Sequence, residues 1–205
     1  MEIAAAIIAG YLLGSIPMGL IAGRLAGGVD VRDYGSKKTG FTNSLRVLGL
    51  RRSLPVFVGD YGKGVTAALL PLLWSDDPWA RALGGLAAVC GHVWPLFAGF
   101  RGGRGILTGA GVLTGLSPLA VLLIVPIAAL TLKLTRYMSL TSISAAAIGG
   151  AIFAAFAAAG IHPWAFAAVA IAGGALTIVL HHDNIARLRA GTERRVGERV
   201  ETQEA

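Results

Sequence analysis

Residues 106–134, ILTGAGVLTGLSPLAVLLIVPIAALTLKL, form an apolar run too long for one comfortable membrane helix. A span needs about 20 predominantly apolar residues, and a run of roughly 10–14 is more often re-entrant or interfacial. Ser117-Pro118 divides the run into a short, glycine-rich piece, Ile106–Leu116, and a full span, Pro118–Leu134. The short piece reads as a tilted or sunken crossing, or as half of a re-entrant hairpin. Its reading sets the parity of the whole chain: one crossing over 106–134 gives six spans in total, and two crossings give seven.

Charge placement decides between them. The remaining expected spans are Ile3–Arg24, with Gly14-Ser15-Ile16-Pro17 midway, then Ser53–Trp74, Trp79–Phe97, Ser139–Ala159 and Trp164–Leu180. With the N-terminus outside and seven crossings, the cytoplasmic side receives all but two of the 18 Lys and Arg. Lys63 lies inside a span and Arg81 lies outside. Lysine and arginine concentrate in cytoplasmic loops, so seven fits. Six would strand the arginine-rich tail outside. Five crossings with a re-entrant hairpin keep the same parity.

The composition agrees with this class: 55% hydrophobic, 14% charged, and a mean hydropathy of +0.68. Soluble chains average about 25% charged residues. The expectation is therefore an all-α polytopic membrane protein of seven helices, one or two of them short or re-entrant, with a cytoplasmic C-terminus. Residues 1–192 read as one integral-membrane domain and 193–205 as a charged cytoplasmic tail. Ile3–Leu25 lacks a positive leading segment and reads as a span rather than a cleavable leader. The net charge of +7 acts on topology first, so nucleic acid is not an expected partner. The single Cys90 gives no disulfide framework and no metal site.

One stretch is polar against this background: Tyr34-Gly35-Ser36-Lys37-Lys38-Thr39-Gly40-Phe41-Thr42-Asn43, continuing to Arg46. It carries hydroxyls, an amide, cations and glycines, and no carboxylate. Glycines let backbone N–H groups turn toward a ligand, and the side chains supply further donors. Such chemistry cradles a phosphate; a solvated, positive loop is the plainer reading. The other polar clusters fall at the same ends of their spans: Asp60 with Lys63, His92, Arg101 with Arg104, Arg136, and His181-His182-Asp183-Asn184. Histidine, aspartate and asparagine have no preference for that side, so the clustering points to a basic, amide-rich pocket at the membrane surface.

Asp60 and Lys63 share a helix face at i, i+3. Each alone would cost about 2.5–3.5 kcal/mol in lipid on insertion scales, so they pair or face the interior, as a structural ion pair or as part of a site. Arg101-Gly102-Gly103-Arg104-Gly105 reads as an anion clamp or as a charged turn. His92 reads as an interfacial histidine or a site residue. His181 and Asn184 share one face if the last helix runs on into the tail, or else cap the last span. GxSxG, HExxH, a Walker loop and paired Cys/His spacing are missing, and no histidine is followed five residues on by aspartate. A covalent nucleophile is not visible, so a transferase reading requires an already activated substrate. A small anion transporter or channel is the rival reading.

Taken in order, these residues resemble the bacterial acyl-phosphate:glycerol-3-phosphate acyltransferases. The resemblance runs nearly end to end: Gly14-Ser15-Ile16-Pro17-x-Gly19; Gly35-Ser36-x-x-x-Gly40-x-Thr42-Asn43-x-x-Arg46; Asp60-x-x-Lys63-Gly64; Gly91-His92-x-x-Pro95; Phe100-Arg101-Gly102-Gly103-Arg104-Gly105; Arg136-Tyr137-x-Ser139-x-x-Ser142; and His181-x-x-Asn184-x-x-Arg187-x-x-x-Gly191-x-Glu193. It implies a seven-helix membrane enzyme of the bacterial cytoplasmic membrane with its site toward the cytoplasm. It implies transfer of an acyl chain from acyl phosphate to the sn-1 hydroxyl of glycerol 3-phosphate. The products would be lysophosphatidic acid and phosphate, in the first step of phospholipid synthesis, with no cofactor, metal or acyl-enzyme. By carry-over, Ser36, Arg46, Arg104, His181 and Asn184 form the catalytic set. Gly35, Lys38, Thr39, Gly40, Thr42, Asn43, Lys63, Arg101, Gly102 and Gly103 would hold phosphate and substrate. Ser15, Asp60, His92, Ser142 and Glu193 complete the candidates. The chain departs from the family pattern at Lys37-Lys38, where the family has Gly-Asn, and at Phe41, where it has Ala. Both cations of the 101–104 turn are arginines here, which keeps charge and changes geometry.

Overall fold

Over residues 1–197, which the computed structural model describes, the chain is helical apart from turns and loops. Arg199 and the rest of 198–205 lie outside the described residues. The elements are α1 (Glu2–Gly14), α2 (Met18–Leu25), α3 (Phe41–Leu48), α4 (Leu50–Leu69), α5 (Pro78–Val93), α6 (Ile106–Leu116), α7 (Pro118–Thr135), α8 (Met138–Ala158), α9 (Trp164–Val179) and α10 (His182–Arg189).

The expected division of 106–134 is the one observed. Ser117 accepts a hydrogen bond from the Ala120 N–H at 3.2 Å and Pro118 takes the first helical position, so α7 starts where α6 stops. Pro17, which has no N–H, separates α1 from α2. Among the described residues, four segments are long and apolar enough to cross a membrane: Glu2–Leu25, Leu50–Leu73, Pro118–Thr135 and Met138–Ala158. α9 with α10 makes a fifth if that bent pair is one span. α5 has 16 residues and α6 has 11, so the length criterion does not by itself count them as crossings.

Close backbone approach holds the bundle together. A Cβ at Gly10 of α1 would stand 2.0 Å from the Gly84 carbonyl oxygen of α5, and one at Gly14 would stand 2.1 Å from that of Ala88. α4 and α6 meet the same way, Gly64 against Thr108 and Gly111 against Tyr61. Small residues let helices associate where water supplies no driving force between them. The larger core side chains, Phe153 and Phe166 with Val112, Leu116 and Ile124, fill the space between α6, α7, α8 and α9. α7 exposes Leu119, Leu122, Leu123, Val125, Ile127, Leu130 and Leu134, as a lipid-facing helix would.

Arg81, which the charge map sets apart from the other cations, has a structural place. Its Nε donates to the Ala68 carbonyl at 3.2 Å and its Nη2 to that of Gly115 at 2.7 Å, with the guanidinium 5.1 Å from the Phe166 ring centre. These carbonyls lie in the last turns of α4 and α6, where the ladder leaves acceptors unpaired.

Two local expectations change. The polar loop 25–52 contains a helix, α3, whose Phe41, Leu45 and Leu48 recur at helical spacing. The last helix does not run straight into the tail: α9 ends at Val179 and α10 departs at 57°. His181 sits in the break as the N-cap of α10.

Candidate active site

The break between α9 and α10, the N-terminus of α3 and the 102–105 turn converge on one cavity of about 490 Å³. Of the residues expected there, Gly35, Ser36, Lys38, Gly40, Thr42, Asn43, Arg46, Asp60, His92, Arg104, Ser142, His181, Asn184 and Glu193 line it. Thr39 is buried behind the loop, and Ser15, Lys63, Arg101, Gly102 and Gly103 are outside the lining. Arg101 is exposed; its charge helps hold the Asp30 carboxyl low, after the larger effect of Arg32.

The 34–43 loop is built around Asn43, which is almost fully buried. Its Oδ1 accepts from the Ser36 N–H at 2.8 Å. Its Nδ2 donates to the carbonyls of Val31 (2.7 Å), Lys38 (2.9 Å) and Tyr34 (3.2 Å). Asn43 therefore shapes the cradle, and its polar atoms are occupied by the loop itself. Gly35 has φ +61°, and a Cβ there would meet Asn43 Oδ1 at 2.3 Å. Gly40 precedes α3, whose first turn opens on the cavity with Phe41 and Thr42 in its wall. First-turn N–H groups lack helical acceptors and suit an anion; here that of Asn43 already donates to the Gly40 carbonyl at 3.1 Å, which leaves those of Phe41 and Thr42.

Lys37 has φ +56°, a left-handed conformation costing a residue with a Cβ about 1–2 kcal/mol. Lys37→Gly is expected to stabilise the protein by about 0.5–1 kcal/mol, the strain relief exceeding glycine's added chain entropy. Thermal unfolding in detergent should show a higher midpoint; an unchanged or lower one removes strain as the reason.

Opposite the loop, Arg104 Nε donates to the Leu180 carbonyl at 3.2 Å, which leaves its Nη groups for the cavity. Burial, followed by the Arg187 charge, lowers its pKa from the ordinary value, but an arginine stays protonated. His181 is 2% exposed and its Nδ1 lies 2.8 Å from the Thr177 carbonyl. A carbonyl only accepts, so Nδ1 carries the proton and Nε2 presents a lone pair. Burial, reinforced by Arg104, pushes the histidine below its usual pKa despite the Thr177 bond and the Glu193 charge. Neutral imidazole is the form at pH 7.

Asn184 Nδ2 donates to Glu193 Oε1 at 2.6 Å, and Arg187 Nε to Oε2 at 2.7 Å. Burial would raise the Glu193 carboxyl, but the bonds from Asn184 and Arg187 outweigh it and hold the group below the usual carboxylate range. The Asn184 amide is thereby oriented. Its Oδ1 is buried and without a hydrogen-bond partner among the described residues. The start of the expected tail belongs to this site, since Glu193 and Arg194 line the cavity and Val196 N–H donates to the Arg136 carbonyl at 2.8 Å. Sequence reading did not select Arg187, Ser139 or Arg194 as site residues. Arg187 lies at i+3 from Asn184 and was within reach of periodicity, whereas Arg194 arrives only through the turn at Gly191, which has φ +71°.

Membrane-length helices closing one end around a cation-lined cavity define an integral membrane protein with a site suited to anions. Residues 4–191 match the glycerol-3-phosphate acyltransferase family. The glycerol-3-phosphate acyltransferase of Synechococcus sp. (strain CC9902) is 40% identical over 190 residues, 93% of each chain. That of Exiguobacterium sibiricum is 40% identical over 200 residues, covering 96% of this chain and 95% of its own. The chain belongs to the glycerol-3-phosphate acyltransferase family. Two crystal structures of PlsY (YgiH), an integral membrane glycerol 3-phosphate acyltransferase, share its fold. The glycerol 3-phosphate form has a TM-score of 0.87 at 37% identity, and the lysophosphatidic acid form 0.85 at 36%, each covering 96% of both chains.

Proposed function

We propose that the chain transfers an acyl group from acyl phosphate to the sn-1 hydroxyl of glycerol 3-phosphate, yielding lysophosphatidic acid and inorganic phosphate. The observation that carries this reading is one cavity lined by two sets of possible phosphate-binding groups, contributed by distant parts of the chain. The Ser36 hydroxyl, Lys38 and the first turn of α3 form one set, with Arg46 beside them. Arg104, with His181 and Asn184 adjacent, forms the other.

The donor phosphate occupies the 35–43 cradle and the acceptor phosphate faces Arg104. Acyl phosphate is a mixed anhydride, so its carbonyl needs no enzyme nucleophile. The acceptor oxygen forms the new ester bond while the bond from the carbonyl carbon to the phosphate oxygen breaks. The enzyme's work is to bring two anions together and to stabilise the developing oxyanion and the leaving phosphate. His181 Nε2 accepts a hydrogen bond from the attacking hydroxyl and relays its proton to the acceptor's own phosphate. Asn184 Oδ1 holds a neighbouring hydroxyl. Phe41, Phe57, Ile106, Leu107 and Met138 form the apolar part of the wall and take the first carbons of the acyl chain. In this reading the chain crosses the bacterial cytoplasmic membrane seven times, with the N-terminus outside, and the cavity opens to the cytoplasm, where the cations concentrate.

Purified protein in lipid mesophase is expected to release phosphate from palmitoyl phosphate only when glycerol 3-phosphate is present, with equimolar lysophosphatidic acid. Release that is independent of acceptor, or acyl transfer from a thioester but not from acyl phosphate, overturns the assignment of donor.

A further inference from the structure

The two halves of the cavity come from distant parts of the chain, and one buried carboxylate lies at the root of both. Asp60, on α4, is 1% exposed, with Lys63 at 7% and His92 at 5%. Asp60 Oδ1 is 2.8 Å from Lys63 Nζ and 3.4 Å from His92 Nδ1.

The first arm leads to Arg104. The His92 ring stands between Asp60 and the 102–103 backbone. Gly103 N–H donates to the His92 carbonyl at 3.1 Å and Gly102 N–H to that of Val93 at 3.2 Å. A Cβ at Gly103 would lie 2.2 Å from His92 Nε2, and one at Gly102 would lie 2.1 Å from the His92 carbonyl oxygen. The turn therefore lies flat on the 92–95 segment, with the His92 ring directly under Gly103, and the next residue is Arg104. Tilting the ring moves the turn.

The second arm leads to the Ser36 loop. Lys63 Nζ donates to the Ile16 carbonyl at 2.9 Å, in the break before α2. α2 in turn packs on the loop: a Cβ at Gly19 would stand 2.0 Å from the Thr39 carbonyl oxygen and 3.2 Å from Ser44 Oγ. Charge keeps the junction in place, because an ammonium or a carboxylate left alone at this depth costs several kcal/mol.

We propose that Asp60 is a positioning residue that fixes the two phosphate half-sites relative to each other, through His92 to Arg104 and through Lys63 and α2 to the 35–43 cradle. The proposal rests on the acyl-phosphate reading above, with donor phosphate in the cradle and acceptor phosphate on Arg104. A side chain that only filled space would affect both substrates alike; two separate arms affect them separately.

The test is steady-state kinetics on the full-length protein in mesophase, varying each substrate in turn. His92→Leu cuts the first arm and is expected to raise KM for glycerol 3-phosphate by about tenfold, with KM for palmitoyl phosphate within about twofold; one tenfold step is about 1.4 kcal/mol of lost positioning. Lys63→Met is expected to show the reverse pattern. Asp60→Asn alone strands a buried ammonium, so the charge-neutral pair Asp60→Asn/Lys63→Met is made as well. It is expected to raise both KM values, and adding His92→Leu to it should raise KM for glycerol 3-phosphate no further. Equal effects of all variants on both KM values, or a loss of activity explained by the fraction of folded protein, overturn the positioning role. If wild-type protein fails to use acyl phosphate, the functional reading fails instead, and the two failures are distinct.

Discussion

Replacing Arg104 with alanine is expected to lower kcat/KM for glycerol 3-phosphate by on the order of 10²–10³-fold, the usual effect of losing one preorganised charged donor from a water-poor site. Three features make Arg104 the residue of largest effect. Its Nε is already engaged by the Leu180 carbonyl, so the guanidinium is held before substrate arrives and binding spends little on ordering it. It is partly buried, which strengthens its attraction for a dianion. Its position between the Gly103 backbone and the end of α9 also links the two walls of the cavity, so truncation opens the wall as well as removing charge. Arg104→Lys is expected to retain activity within roughly tenfold, because an ammonium keeps the charge while losing the fork and the bond to Leu180. The measurement is initial rate against glycerol 3-phosphate concentration at saturating palmitoyl phosphate. An alanine variant within about threefold of wild type would remove Arg104 from the acceptor site.

The fold was legible where long-range rules act on long segments. The division at Ser117-Pro118, the helices flanking it and the concentration of cations at one set of helix ends follow from hydropathy, proline and charge. Much of the cavity's polar lining was legible, since glycine-rich and hydroxyl-rich segments with arginines are rare in an apolar chain. What the sequence could not separate was contact from support. Asn43 and Ser36 are seven residues apart and equally polar, yet Asn43 gives its whole amide to the loop backbone. Lys63 reads as a possible phosphate ligand and is instead tied to Asp60 and Ile16. Gly102 and Gly103 read as a phosphate-binding pair, and in the structure they are bare because His92 leaves no room for a Cβ. These distinctions depend on which partner a side chain meets in space. The 57° bend after α9 was hidden for the same kind of reason: Leu180, His181 and His182 are all compatible with helix, no proline or glycine marks the break, and the Leu180 carbonyl there meets Arg104 from a distant turn.

His181 is where the bend acts on chemistry. With Nδ1–H committed to the Thr177 carbonyl, Nε2 of the neutral ring can only accept, and in the proposed mechanism it accepts the proton of the attacking hydroxyl. The pH behaviour follows from its lowered pKa. Because the folded protein holds His181 neutral more readily than the unfolded chain does, its contribution to stability is fully present above the unfolded value of about 6.5 and is lost as pH falls through the lower folded value. Activity should follow the same direction, with the acid limb of kcat/KM lying below pH 6.5 because protonation of Nε2 removes the acceptor. His181→Gln is expected to lower kcat by on the order of 10²-fold, the lower end for losing a positioned proton acceptor, and to remove that limb from the pH profile. A glutamine can still hydrogen-bond Thr177, so a change confined to the pH profile and kcat separates proton handling from packing. The companion change, Thr177→Ala, keeps the carbonyl and should leave the profile in place. If His181→Gln retains the wild-type acid limb, the titrating group lies elsewhere. Glu193, held below the usual carboxylate range by Asn184 and Arg187, would be the next to vary.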